Sequence, residues 1–299
     1  MLQQFNELNR DLMININGEL IHRDQAGISP FDSVVQGGDA VWEGLRVYDG
    51  RIFRLTEHLD RLRHSAEAMA FATIPSHDEI VSEIKKTLAA YGMNDGVHIR
   101  LTLSRGLKYT SGMDPRINQL GPTLIVLAEH KPPVYDKSGI RLSTSSIRRP
   151  DPDVVDQKIH SNNLINSILA KIQANSAGAD DALMLDARGM VAETNATHVF
   201  LVSQKQLLTP RTVACPEGIT RAVVLEICGN KNVPCQERDI SLSEVYRADE
   251  MFCSGTMGEL AAVIEVDGRT IGTGEIGPIT VQLAQWFAEL TSQEGTKVV

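Results

Sequence analysis

Glu129-His130-Lys131-Pro132-Pro133-Val134-Tyr135-Asp136 carries two consecutive prolines and no hydrophobic period. Proline lacks a backbone N–H and pushes the residue before it out of the helical region, so this run neither continues a helix nor sits inside a sheet. It reads as a linker between two folded parts, and 299 residues are enough for two domains. The expected division is an N-terminal domain over residues 1–128, a linker over 129–138 and a C-terminal domain over 139–299.

Upstream of the linker, apolar and polar residues alternate over residues 12–21 around Asn17-Gly18, a two-residue hairpin signal. A second hairpin is expected where Leu45, Val47 and Tyr48 precede Asp49-Gly50 and Ile52, Phe53 and Leu55 follow. Leu59, Leu62 and Ala66 then recur at spacings of three and four, which predicts a helix capped by Thr56. A further helix is expected over residues 76–91, ending at Gly92, and strands over 97–104 and 123–128. Downstream, a strand over residues 140–147 leads through a proline-containing loop to a helix over 162–176. In that helix Leu164, Ile165, Ile168, Leu169 and Ile172 share a face, with Ser161 and Asn162 as caps. A hairpin over residues 182–193, a strand over 198–202 and a helix opening at Gly218 follow. The fold class is therefore α/β, in two domains.

Composition narrows the partners. There are 38 acidic and 29 basic side chains, a net charge of −9, so no broad electrostatic footprint for nucleic acid is expected. The first ten residues lack the profile of a secretory signal and no apolar run reaches membrane-span length, so a cytoplasmic location without membrane contact is expected. Cys215, Cys228, Cys235 and Cys253 show neither a disulfide framework nor Cys-x-x-Cys spacing. They read as reduced thiols, and no metal is expected.

Four segments could carry chemistry. Glu217-Gly218-Ile219-Thr220-Arg221 places a glycine, free amides and a hydroxyl at a helix start, where an anion is held without net protein charge. Lys158, beside Ile159 before a helix, could be partly desolvated and act as a nucleophile. Glu193, in a polar knot between apolar strands, would need a cationic partner if buried. Ser254-Gly255-Thr256-Met257-Gly258-Glu259 exposes turn amides suited to an anionic group. Taken singly, these read rather as a helix cap, a surface lysine, a strand-end glutamate and an ordinary turn.

Taken together and in order, the segments resemble the class IV family of pyridoxal-phosphate (PLP) aminotransferases, closest to its branched-chain amino-acid members. The resemblance spans residues 14–286. It rests on Glu43-Gly44-Leu45-Arg46, Glu57-His58-Leu59-Asp60-Arg61-Leu62, Lys158 with Asn162-Asn163, Glu193-Thr194-Asn195, Glu217 to Arg221 and Ser254-Gly255-Thr256. It implies a smaller N-terminal α/β domain, a larger barrel-like C-terminal one and a homodimer or higher homo-oligomer. It also implies ping-pong transfer of an amino group from an amino acid, an apolar branched-chain L-amino acid first, to a 2-oxo acid.

By this resemblance Lys158 looks like the lysine that holds PLP as an internal aldimine and shuttles the substrate proton. Glu193 looks like the partner of the pyridine nitrogen. Arg61, Ile219, Thr220 and Thr256 look like the phosphate site. Trp42, His98, Arg100 and Met257 look like substrate contacts. The chain departs from its branched-chain relatives at Gly37 and Asn163, where they carry tyrosines, and at His98-Ile99-Arg100, where they read Tyr-x-Arg. These departures keep a D-amino-acid or (R)-amine transaminase as the alternative, although the loop over residues 107–116 lacks the Arg-x-His trap of the D-amino-acid enzymes. An aminodeoxychorismate lyase and a non-catalytic PLP-binding protein rank behind these.

Overall fold

The computed structural model describes residues 3–135 and 138–299, so positions 136 and 137 of the expected linker lie outside the described residues. The chain forms two compact units that are not continuous segments. One comprises Gln3–Pro132, Ile159–Asn163 and Thr291–Val299, and the other Pro133–Lys158 and Leu164–Leu290. This differs from the linear division. Glu129 and His130 still pair with His98 and Val97 in a strand ladder, so the first unit runs to the prolines, where the missing N–H ends pairing. Residues 159–163 and 291–299 return to it because Ser161 bridges to Val41 and the C-terminal strand Thr296–Lys297 adds to the sheet edge.

In the first unit β1 (Met13–Ile16) and β2 (Glu19–His22) form a hairpin over left-handed Asn17 and Gly18. Then come α1 (Ser33–Gly37), β3 (Ala40–Tyr48), β4 (Arg51–Ile52), α2 (Leu55–Ala68), α3 (His77–Ala89), β5 (Val97–Ser104) and β6 (Thr123–His130). The sheet order is C-terminal strand, β4, β3, β5, β6, β1, β2. Leu59 and Leu62 of α2 and Ile84 and Leu88 of α3 pack on Leu45, Ile99 and Leu101 of the sheet, all at most 1% exposed; each such side chain contributes about 1.5–3 kcal/mol. The β3–β5 register pairs Gly44 with Arg100 and Arg46 with His98. Alternation therefore gathers Trp42, Gly44, Arg46, His98 and Arg100 on one face and turns Glu43 onto the other, among the apolar residues. α2 begins at Leu55 rather than after a Thr56 cap, because Arg54 takes a left-handed conformation that redirects the chain from β4.

In the second unit β7 (Ile140–Thr144), α4 (Pro152–Val155), α5 (Ile165–Ser176), β8 (Asp181–Leu185), β9 (Val191–Thr194), β10 (His198–Ser203) and β11 (Gln206–Thr209) come first. They are followed by α6 (Ile219–Lys231), β12 (Cys235–Glu237), α7 (Leu242–Val245), β13 (Glu250–Gly255), β14 (Glu259–Val266), β15 (Arg269–Thr270) and α8 (Pro278–Gln293). The sheet order is β12, β11, β10, β13, β14, β7, β8, β9, with β15 on β14. Phe200 and Phe252 are register partners whose rings stack at 4.9 Å. On α5 it is Ala170 and Ala174 that are buried, whereas Ile165, Ile168, Leu169 and Ile172 are exposed. Leu164 stands at its N-cap without a side-chain bond, and the expected cap Asn162 serves elsewhere.

Candidate active site

Glu43 is the hub of the first unit. Its side chain is fully buried and accepts hydrogen bonds from His58 Nδ1 at 2.7 Å, Arg61 Nε at 2.8 Å and Arg61 Nη2 at 2.7 Å. His160 Nδ1 lies 3.3 Å away. His58 and Arg61 are one turn apart on α2, which is why both reach the same carboxylate. Burial works against the Glu43 charge, but Arg61, then His160 and His58, outweigh it and hold its pKa well below the usual carboxylate value.

On the opposite face of the β3–β5 pair, the Trp42 ring stacks on His160 at 4.3 Å and Arg100 Cζ lies 3.4 Å from the Trp42 ring centre. Arg100 Nη2 donates to Asn162 Oδ1 at 2.9 Å, and Trp42 Nε1 to the Ser161 carbonyl at 3.1 Å. Residues 160–162, which directly follow the Lys158-Ile159 segment, are thus pinned to β3. His98 is 8% exposed, and neither ring nitrogen has a hydrogen-bond partner. Burial, then Lys131, Arg100 and Arg46, lowers its pKa to about 3. Burial likewise lowers Arg100 to about 10, against the pull of Glu43. Two arginines and an unpartnered neutral imidazole on one face suit a carboxylate.

The second unit joins the remaining expected residues through a chain of contacts. Lys158 Nζ lies 3.5 Å from Glu217 Oε1, directly before the start of α6. Gly218, the N-cap of α6, makes no side-chain cap bond, so the amides of Ile219 and Thr220 lack the usual capping oxygen. Gly218 also packs so closely on His198 that a β-carbon there would lie 2.2 Å from the ring. His198 Nδ1 is 3.8 Å from Glu193 Oε2, and Arg149 Nη2 is 2.9 Å from Glu193 Oε1. Arg149 also donates to the Thr194 carbonyl and to Ser167 Oγ, both at 3.0 Å. Thr256 and Met257 are half-buried in the turn between β13 and β14, where Gly255 packs on Thr197, the neighbour of His198.

Two expectations change. The Lys158 side chain is 50% exposed, so the apolar enclosure expected beside Ile159 is not what surrounds it. Arg61 commits two donor nitrogens to Glu43. A half-exposed amine, a buried carboxylate held by an arginine and a helix start without a cap are what an aldehyde-bearing, pyridinium-containing phosphate ester requires, and in that sense the residues fit PLP. Glu193, His198 and Cys215 also place ligand atoms within 4.8 Å of one another. Burial, then Glu193, pushes the Cys215 thiol up in pKa and disfavours the thiolate that a metal ion needs, so this trio suits a metal ion poorly.

The family model described as amino-transferase class IV matches residues 40–266. The chain belongs to this family. The chain is 52% identical to branched-chain-amino-acid aminotransferase-like protein 2 of Arabidopsis thaliana over 97% of its own length, though it spans only 52% of that relative. It is 37% identical to a putative branched-chain-amino-acid aminotransferase of Methanocaldococcus jannaschii, covering 96% of this chain and 99% of the other. Among solved structures it resembles the branched-chain amino acid aminotransferase from Thermobaculum terrenum in its PLP-bound holo form, at 26% identity and a TM-score of 0.84, covering 95% of each chain. Sequence reasoning missed the contacts made by Glu43, His160, Arg149 and His198. Glu43 lay inside a quoted motif, but its partners come from α2 and from a segment more than a hundred residues on, as its 117-residue separation from His160 shows.

Proposed function

We propose that the chain is a PLP-dependent aminotransferase that moves the amino group of an apolar, branched-chain L-amino acid to a 2-oxo acid. The observation that carries this reading is the juxtaposition in one unit of Lys158, Glu193 with Arg149, and the α6 start that lacks a cap. Bound PLP supplies the electron sink that makes the substrate α-proton acidic. Lys158 Nζ holds the cofactor and then takes and returns that proton, and its half-exposed position gives it room to do both. Glu193, held in place by its ion pair with Arg149, pairs with the protonated ring nitrogen. Within the second unit the Ile219 and Thr220 amides and the Thr220 and Thr256 hydroxyls take the phosphate.

Within the first unit, Arg100 and neutral His98 are the groups for the substrate carboxylate and Trp42 borders them. The rigid stack of Arg100, Trp42 and His160 holds this wall in place. A homodimer is the assembly we favour, because Ile165, Ile168, Leu169 and Ile172 form an exposed apolar stripe on α5; sedimentation of the chain measures it. No helix among the described residues is long and apolar enough to cross a membrane.

The test is a half-reaction screen. PLP-loaded protein is mixed separately with L-leucine, L-valine, D-alanine and an (R)-amine, and the absorbance of the bound cofactor is followed. The proposal expects conversion with the L-amino acids and release of their 2-oxo acids. Conversion confined to D-alanine or the (R)-amine would sink the substrate assignment, and no conversion with any amine would sink the activity.

A further inference from the structure

The linker grips the turn that carries Thr256 and Met257. Val134 N donates to the Met257 carbonyl at 3.2 Å. The next residue, Tyr135, lies flat against Gly258: a β-carbon there would be 2.3 Å from Tyr135 Cδ2 and 2.5 Å from Cε2. At the other end of the same turn a β-carbon on Gly255 would lie 3.0 Å from Thr197 Cγ2. Thr256 and Met257 therefore sit between two glycines, each in tight contact with a fixed side chain.

Tyr135 is itself held firmly. Its hydroxyl donates to Asp181 Oδ2 at 2.5 Å, and Lys171 Nζ holds the other oxygen of Asp181 at 3.0 Å. Burial first, then Asp181 and Cys253, raises the Tyr135 pKa well above the usual phenol value, so its hydroxyl remains a donor. The ring packs against the apolar core of the second unit. One side chain thus links the linker, β8 and the Thr256 turn.

We propose that Tyr135 is a positioning residue that fixes the Thr256–Met257 backbone where the cofactor phosphate is received. This rests on the reading above, in which that turn belongs to the PLP site. Turn donors serve a bound anion when held within about 0.5 Å of the productive geometry, and a misplacement of about 1 Å costs up to about two orders of magnitude in rate.

The experiment titrates apoprotein with PLP, recording the dissociation constant and the 31P resonance of the bound phosphate, for wild type, Y135F, Y135A, G258A and Y135A/G258A. Y135A and G258A should each weaken PLP about tenfold or more and shift the 31P signal. Y135F keeps the ring on Gly258 and should stay within about twofold of wild type. In the Y135A background the added β-carbon of G258A has room, so it should cost little further; the shifted 31P signal of the bound phosphate is the readout that a merely structural role would not move. Wild-type affinity and an unmoved 31P signal in Y135A, or additive losses in the double variant, would overturn the proposal. If Y135A fails to fold, G258A against wild type decides the matter by the same readouts. Wild-type protein that takes up no PLP would instead sink the reading beneath it.

Discussion

Replacing His98 by Gln should flatten the acid side of the stability curve. The imidazole is 8% exposed with both nitrogens unpartnered, and its pKa is lowered from 6.5 to about 3 by burial, then by Lys131, Arg100 and Arg46. In the unfolded chain the same imidazole takes up a proton as pH falls below its ordinary value, whereas the folded protein resists until about pH 3. A histidine depressed in this way costs no stability at high pH and progressively more as pH falls, at about 1.4 kcal/mol per pH unit. From about pH 8 to about pH 5 the loss is about 2 kcal/mol. H98Q keeps a polar, neutral side chain and removes the titration. Urea unfolding of wild type and H98Q at both pH values isolates this contribution, because the other titrating groups cancel in the difference. A wild-type minus H98Q difference that does not change with pH would refute the reasoning.

Two further outcomes follow from the geometry. Glu43→Gln removes the charge that compensates buried Arg61, so thermal unfolding should show a loss of about 3–5 kcal/mol. Because the Glu43 pKa is lowered, that difference should shrink as pH falls through its folded-state value, and an unchanged melting temperature at neutral pH would count against the hub. Gly218→Ala drives a β-carbon into His198, which should cost about 1–3 kcal/mol of stability and weaken inorganic phosphate binding, both readable by calorimetry. Wild-type values would mean that His198 has room to move.

Local signals made much of the fold legible. Asn17-Gly18 and Asp49-Gly50 turn where their left-handed backbones allow, and Ser76 forms the capping box that starts α3. What stayed hidden depends on partners distant in sequence. The 3.6-residue period of α5 revealed an apolar stripe but not that Ala170 and Ala174 face the sheet while the isoleucines face outward. Asn162 has the chemistry of a helix cap, yet its side chain binds Arg100, 62 residues earlier. The return of Thr296–Lys297 to β4 had no local signature, since a two-residue edge strand carries no period. For the candidate site, Lys158, Glu193 and the α6 start could be named in advance from residue type. Their supports, Arg149, His198 and Tyr135, could not, because each acts through a contact that no spacing encodes.

The most direct test of the central claim is chemical. PLP-loaded protein is reduced with borohydride, digested, and its peptides are mapped by mass spectrometry. The account predicts a single pyridoxyl group on Lys158, beside Glu217 at the start of α6. A pyridoxyl group on another lysine, or none at all, would contradict it.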